Sequence, residues 1–214
     1  MKYEAIIFDL DGVIVSTDKC HYEAWKRLAD EEGIYFDREI NERLRGVSRM
    51  ESLEIVLEKS EKEYSESQKS EMAERKNGYY KNLITKIDKS AILEGAEDFI
   101  VKAKENGIKV AIGSSSKNTI AILKQVGLLE IFDVIADGND IKNSKPAPDV
   151  FLVASQKLGI EPEKCLVVED AEAGVIAALT AKMDVLAVGY ARKCEKATYK
   201  AFGLHDESVY NLFQ

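Results

Sequence analysis

Five short apolar runs, each rich in β-branched residues, punctuate the chain at positions 6–8, 108–112, 134–136, 165–168 and 185–188. None shows the polar alternation of a strand with one wet face, so each is predicted to be a strand covered on both sides. Between the later runs, apolar residues recur at helical spacing over about 95–106, 117–126, 149–158 and 171–181. Strand alternating with helix predicts an α/β fold with a doubly wound parallel sheet. Residues 18–85 break this rhythm, with long charged amphipathic stretches and no convincing strand.

That block reads as an inserted α-helical cap. Cys20, Ala24, Trp25, Leu28 and Ala29 fall at helical spacing over 19–32, and Gly33 follows where a helix C-cap belongs. Ser48 to Glu51 and Ser65 to Gln68 are capping-box patterns opening helices at 49–59 and 66–85. The expected division is a core of residues 1–15 and 86–214 and a cap of residues 16–85. Two linkers, near 14–17 and 85–92, would form a hinge by which the cap closes over the strand ends. The Glu/Lys/Ser-rich run at 58–76 reads as a solvated helix face.

Composition narrows the function classes. The chain has 214 residues, 45% hydrophobic and 32% charged, enough for one large domain or one domain with an insert. A net charge of −8 without a basic stripe argues against nucleic acid. No apolar stretch reaches the length of a membrane span or a secretory segment, so a cytoplasmic monomer is expected. Cys20, Cys165 and Cys194 are odd in number and form no C-x-x-C pair.

The candidate chemistry lies where the strands end. The first run leads into Asp9-Leu10-Asp11-Gly12, whose two aspartates point the same way because side chains alternate along a strand. Two carboxylates in one small volume need a cation or a shared proton. Taken alone this is also a surface turn. Three further polar groups follow later strands, at the sheet edge where open parallel sheets bind ligands. Ser114, Ser115, Ser116, Lys117 and Asn118 stand at a helix start suited to a phosphate. Within that run Ser116 reads equally as a helix N-cap. Lys145 is stiffened by Pro146 and Pro148, and Glu169-Asp170 forms a second acidic pair. Together they supply an aspartate nucleophile, a hydroxyl, a lysine and a metal-binding acidic pair.

On these residues the chain resembles the phosphotransferases of the haloacid dehalogenase superfamily, through Asp9-x-Asp11-Gly-Val, Ser114, Lys145 and Glu169-Asp170 in that order. Further stretches are similar to the β-phosphoglucomutase family within it: Thr17 and His21, Trp25, Leu44 to Arg49 with Ser52, Arg75-Lys76-Asn77, and Ser144-Lys-Pro-Ala-Pro148. The resemblance implies a Rossmann-like core with an inserted helical cap. It makes Asp9 the nucleophile that forms an aspartyl phosphate, and Asp11 the general acid and base. Mg2+ would sit on the Asp9 carboxylate, the Asp11 main-chain carbonyl and Asp170, with Glu169 assisting. Ser114 and Lys145 would hold the phosphoryl group in transfer. Arg49 from the cap, with Ser116, Lys117 and Asn118 from the core, would clamp a second phosphate.

Thr17, His21, Trp25, Arg45, Gly46, Val47, Ser48, Ser52, Lys76 and Ser115 complete the implied substrate site. Trp25 also reads as cap core, and His21 and Lys76 as surface residues. The implied reaction interconverts β-D-glucose 1-phosphate and glucose 6-phosphate through β-glucose 1,6-bisphosphate, which also acts as phosphorylating activator. A Mg2+-dependent sugar phosphate phosphatase is the alternative, and a phosphate-sensing binding module a third reading. Arg45 stands where the family often has Lys, and Glu94 where the superfamily usually has Pro. The segment after Gly189 carries no expected catalytic role.

Overall fold

The structure is a computed structural model that describes residues 2–213. Strand β1 (Ala5–Phe8) is buried at all four positions. Ile6 and Phe8 enter one core cluster while Ala5 and Ile7 enter another, so an unbroken apolar run is what its place demands. The other strands are β2 (Lys109–Gly113), β3 (Val134–Ala136), β4 (Cys165–Glu169), β5 (Asp184–Ala187) and β6 (Tyr199–Lys200). All neighbours pair in parallel, in the order β3-β2-β1-β4-β5-β6. Phe8 aligns with Ile112 on one side and Val168 on the other, so Asp9, Gly113 and Glu169 come abreast at the carboxyl edge.

Four helices cover the later part of the sheet: α5 (Ala96–Glu105), α6 (Thr119–Val126), α7 (Asp149–Leu158) and α8 (Glu172–Thr180). Helices α5 and α6 bury Phe99, Ile100, Ile122 and Leu123 on one face, joined by the turn at 207–213. Helices α7 and α8 bury Val150, Phe151, Val175 and Ala178 on the other. The doubly wound sheet predicted from the sequence is therefore present.

Between β1 and β2 lie α1 (Asp18–Glu32), α2 (Arg38–Glu42), α3 (Arg49–Leu57) and α4 (Glu66–Ile84). Both predicted capping boxes are formed, by Ser48 with Glu51 and by Ser65 with Gln68. Gly33 closes α1 in the left-handed conformation, φ 73°. Trp25, Leu28, Phe36, Ile40, Leu53, Val56 and Met72 form a separate hydrophobic cluster in this layer. Ala24, Tyr80 and Ile84 pack into the main core instead, which seats the helices on the sheet. The segments leading in and out run side by side: Ser16 N–H donates to Ala91 O (2.8 Å) and Leu93 N–H to Ile14 O (2.9 Å).

Some elements differ from the sequence reading. Helix α6 opens at Thr119 behind Asn118, so Ser116 is not its N-cap. The preceding residues instead turn on their own hydroxyls, with Ser116 N–H donating to Ser114 Oγ and Asn118 N–H to Ser116 Oγ, both at 3.2 Å. Helix α2 and strand β6 were not expected. No helix among the described residues is long and apolar enough to cross a membrane.

Candidate active site

The carboxyl edge of the sheet and the overlying helices enclose a cleft of about 690 Å³, within the range of small-molecule sites. Every site residue expected from the sequence lines it except Thr17. Thr17 is buried behind Asp11, and its hydroxyl donates to Asp11 Oδ1. The Tyr80 hydroxyl donates in turn to Thr17 Oγ1 at 3.2 Å. Thr17 therefore positions a site carboxylate and does not border the substrate space.

At the floor, Lys145 is only 2% exposed. Its ammonium donates to Asp9 Oδ1 (2.5 Å) and Glu169 Oε1 (2.7 Å), and lies 4.6 Å from the centre of the Phe151 ring. Glu169 is held at its other oxygen by Ala171 N–H, at 2.7 Å. The two carboxylates keep the buried lysine charged, raising its pKa against the pull of burial.

Burial pushes Asp9 up to about 7; Lys145 works against this and the Glu169 charge adds to it. Asp170 is raised to about 8 by burial and by the charges of Glu169 and Asp9. Burial raises Asp11 to about 6, opposed by the Thr17 hydrogen bond.

Two glycines make this crowding possible. Gly12 has φ 86°, and a Cβ there would lie 2.1 Å from Asp170 Oδ2; a Cβ on Gly174 would lie 1.8 Å from Glu169 Oε1. The acidic groups approach backbone that carries no side chain. Among the described residues, no three His, Cys, Asp or Glu side chains converge closely enough to form a metal cage. The expected ligand set, the Asp9, Asp170 and Glu169 carboxylates with the main-chain carbonyl of Asp11, is not drawn together into such a cage.

The cap contributes a second charged region. Arg49 is paired with Glu74 at 2.5 Å. Lys76 is buried, with its ammonium 3.1 Å from His21 Nδ1 and close to the Trp25 and Tyr80 rings at 4.7 and 4.9 Å. Lys76 is brought down to about 7, chiefly by burial and then by Arg49. His21 is lowered well below its ordinary value, by burial first and Lys76 next. Neither is a surface residue. Trp25 joins the hydrophobic cluster of the helical layer, as one of its two readings expected, and also borders the cleft.

Arg45 is held by Asp18 (2.6 Å) and Glu42 (2.8 Å), and reaches within 3.7 Å of Asp170. Gly46 and Val47 follow it along the rim, with Ser48 and Ser52 at the start of α3. The Ser115 Oγ is buried without a hydrogen-bond partner, beside Ser114 and Lys117 on the cleft wall.

Asp18, Glu74, Asn77 and Tyr80 line the cleft without having been singled out as site residues. Asn118 Nδ2 donates to Asn77 Oδ1 at 3.1 Å, joining the core loop to α4. Ala73, Lys76, Asn77, Tyr80 and Ile84 share one buried helical face. Lysine and asparagine on such a face were the sequence signal for these partners.

A model of the haloacid dehalogenase-like hydrolase family matches residues 3–182. The chain is 41% identical over 188 residues to a β-phosphoglucomutase of Bacillus subtilis, covering 87% of this chain and 83% of that protein. It is 32% identical to a phosphorylated carbohydrates phosphatase of Thermotoga maritima, over 85% of this chain and 82% of the other. Its structure is similar to the crystal structure of a β-phosphoglucomutase from Clostridium difficile, with a TM-score of 0.91 and 41% identity, covering 99% of this chain and 96% of that one.

Proposed function

The chain belongs to the haloacid dehalogenase-like hydrolase family, and from that membership and the site geometry we propose that it is a β-phosphoglucomutase. The reaction interconverts β-D-glucose 1-phosphate and glucose 6-phosphate. The observation that carries this reading is the single cleft in which the Asp9–Lys145–Glu169 floor faces Arg49, Lys117 and Asn118. A mutase needs such a site, because one phosphate reacts while another is held.

Asp9 attacks the phosphorus, the bond from phosphorus to the sugar oxygen breaks, and Asp11 gives its proton to that leaving oxygen. In the return half-reaction Asp11 takes a proton from the sugar hydroxyl that attacks the aspartyl phosphate. A carboxyl near 6 serves in both directions at neutral pH. The Thr17 and Tyr80 hydroxyls hold Asp11 in place for it. Lys145 and Ser114 stabilise charge on the phosphoryl oxygens. The bisphosphate, β-glucose 1,6-bisphosphate, exists after the 6-hydroxyl of β-glucose 1-phosphate has taken the phosphoryl group from Asp9, and turns round before Asp9 attacks the phosphate on C1; added bisphosphate primes Asp9.

The donors fit Mg2+, being oxygen only, with Asp9 and Asp170 each raised by burial and then by the negative charges around it. Asp9, Asp170 and the Asp11 carbonyl would hold the ion, with Glu169 assisting, and it would neutralise phosphate charge. Residues 16–85 would act as a cap domain hinged on the paired linkers and closing over the core of residues 1–15 and 86–214. We take the enzyme to work as a cytoplasmic monomer on soluble sugar phosphates, without nucleic acid or membrane.

The 32% identity to a phosphorylated carbohydrates phosphatase supports the second reading, hydrolysis of a sugar phosphate. One incubation separates the two. Purified protein receives Mg2+, β-glucose 1-phosphate and a trace of glucose 1,6-bisphosphate, and glucose 6-phosphate and free phosphate are measured together. Glucose 6-phosphate outpacing free phosphate supports the mutase; the reverse refutes it.

A further inference from the structure

One meeting of the helical layer with the core joins residues that the reaction scheme leaves unused. Arg45 is fixed to the cap by Asp18 and Glu42. Its guanidinium carbon lies 5.1 Å from the centre of the Tyr190 ring, on the core. Tyr190 stands on the turn at 189–193 that follows β5. That turn is anchored to the site, because Ala191 N–H donates to Asp170 O (2.8 Å) and Gly189 N–H to Phe202 O (3.2 Å). Tyr190 itself is 57% exposed, so core packing does not account for a ring at this place.

We propose that Tyr190 is a specificity-determining residue that selects sugar over water as acceptor of the Asp9 phosphoryl group, by holding Arg45 and the cap loop against the core. The proposal rests on the reading of Asp9 as a phosphorylated nucleophile. Arg45 spends its donors on Asp18 and Glu42 while its guanidinium carbon stays near the Tyr190 ring, a combination a lysine ammonium cannot make in the same way. The contact is available only while the cap loop lies on the core. Gly46, next in the chain, packs against Ala171, with room for no more than a hydrogen: a Cβ there would lie 2.8 Å from the Ala171 Cβ. Seated cap loop, Arg45 and Tyr190 thus form one continuous contact beside Asp170. Losing the ring shifts the cap towards its open position, admitting water. The water oxygen then attacks phosphorus, the bond from phosphorus to Asp9 breaks, inorganic phosphate leaves, and the proton released passes to Asp11.

The test uses acetyl phosphate as phosphoryl donor with Mg2+ and no sugar, measuring phosphate release by the wild type, Tyr190→Ala and Tyr190→Phe. An exposed cation–π contact corresponds to roughly two- to fivefold in an equilibrium. Tyr190→Ala should therefore raise phosphate release about two- to fivefold, while Tyr190→Phe, which keeps the ring, stays at the wild-type rate. The glucose 6-phosphate to phosphate ratio from β-glucose 1-phosphate should fall by the same factor in Tyr190→Ala only. Unchanged release in Tyr190→Ala, or equal leakage in both variants, overturns the proposal. A wild type that releases phosphate but makes no glucose 6-phosphate defeats the mutase reading alone, and a Tyr190-dependent release then still upholds the contact. A wild type that accepts no phosphoryl group from acetyl phosphate overturns both.

Discussion

Asp170→Asn should make the cation-free protein more stable at high pH. Asp170 ionises near 8 in the folded protein and near 3.8 in an unfolded chain. Between those values the native state keeps a proton that the unfolded state has lost, so this group lowers stability as pH rises and adds nothing below about pH 4. Each pKa unit is worth about 1.4 kcal/mol, which sets an upper bound of about 6 kcal/mol above pH 8. The side chain keeps 11% exposure, and solvent screening with relaxation of the site brings the expected penalty to about 2–3 kcal/mol. For a chain of this size that is about 5–10 °C in Tm. The assay is thermal unfolding of wild type and variant in chelator from pH 5 to 8.5, repeated with saturating Mg2+. The variant should gain on the wild type as pH rises, and Mg2+ should raise the wild type but not the variant. A difference in Tm that is flat across pH, or that falls as pH rises, would refute the assignment of Asp170 as a charge held against its will.

Other variants test neighbouring parts of the site. Asp11→Asn should keep Mg2+-dependent stabilisation while losing about 100- to 10,000-fold in turnover, the usual weight of a general acid and base; normal mutase flux would rule that role out. Gly12→Ala places a methyl group on Asp170 at a positive φ and should abolish both activity and the Mg2+ response in melting experiments; a fully active variant would show that Asp170 is dispensable. Arg49→Ala should raise KM for β-glucose 1-phosphate at least tenfold and leave phosphate release from acetyl phosphate near wild type, since Arg49 is proposed to hold the second phosphate; an unchanged KM would point to hydrolysis. Ser48→Ala removes a formed capping box and should cost about 1 kcal/mol in denaturant unfolding.

The core was legible because its strands are covered on both faces, and a run such as Ala5 to Phe8 has no other comfortable place in a folded chain. Strand β6 was not. It is two residues long at the sheet edge, and Tyr199 and Lys200 carry no apolar pattern. Helix α2 spans five residues with only Ile40 buried, too short for periodicity to register. In the site, Asp9 and Glu169 were readable from the strand ends, since parallel register brings strand ends together, and Lys145 from the proline-flanked loop that follows β3. Contacts between cap and core were harder to read. Asn77 with Asn118, and Arg45 with Tyr190, join residues far apart in sequence whose meeting depends on how the helices sit on the sheet. Thr17 was expected in the substrate site from the family resemblance; in the fold its hydroxyl turns inward to Asp11.

The paired backbone segments at Ser16 and Ala91 make the helical layer a detour that returns to its starting point. Replacing residues 17–90 by a tight turn would leave every strand of the sheet in its present neighbourhood, because no strand lies in the excised piece. Such a layer can be lengthened, exchanged or redesigned for a different sugar while the Asp9–Lys145–Glu169 floor stays as it is, provided the Thr17 and Tyr80 hydroxyls that hold Asp11 are kept. Substrate choice and reaction chemistry can then change independently, with the floor inherited and the roof exchangeable.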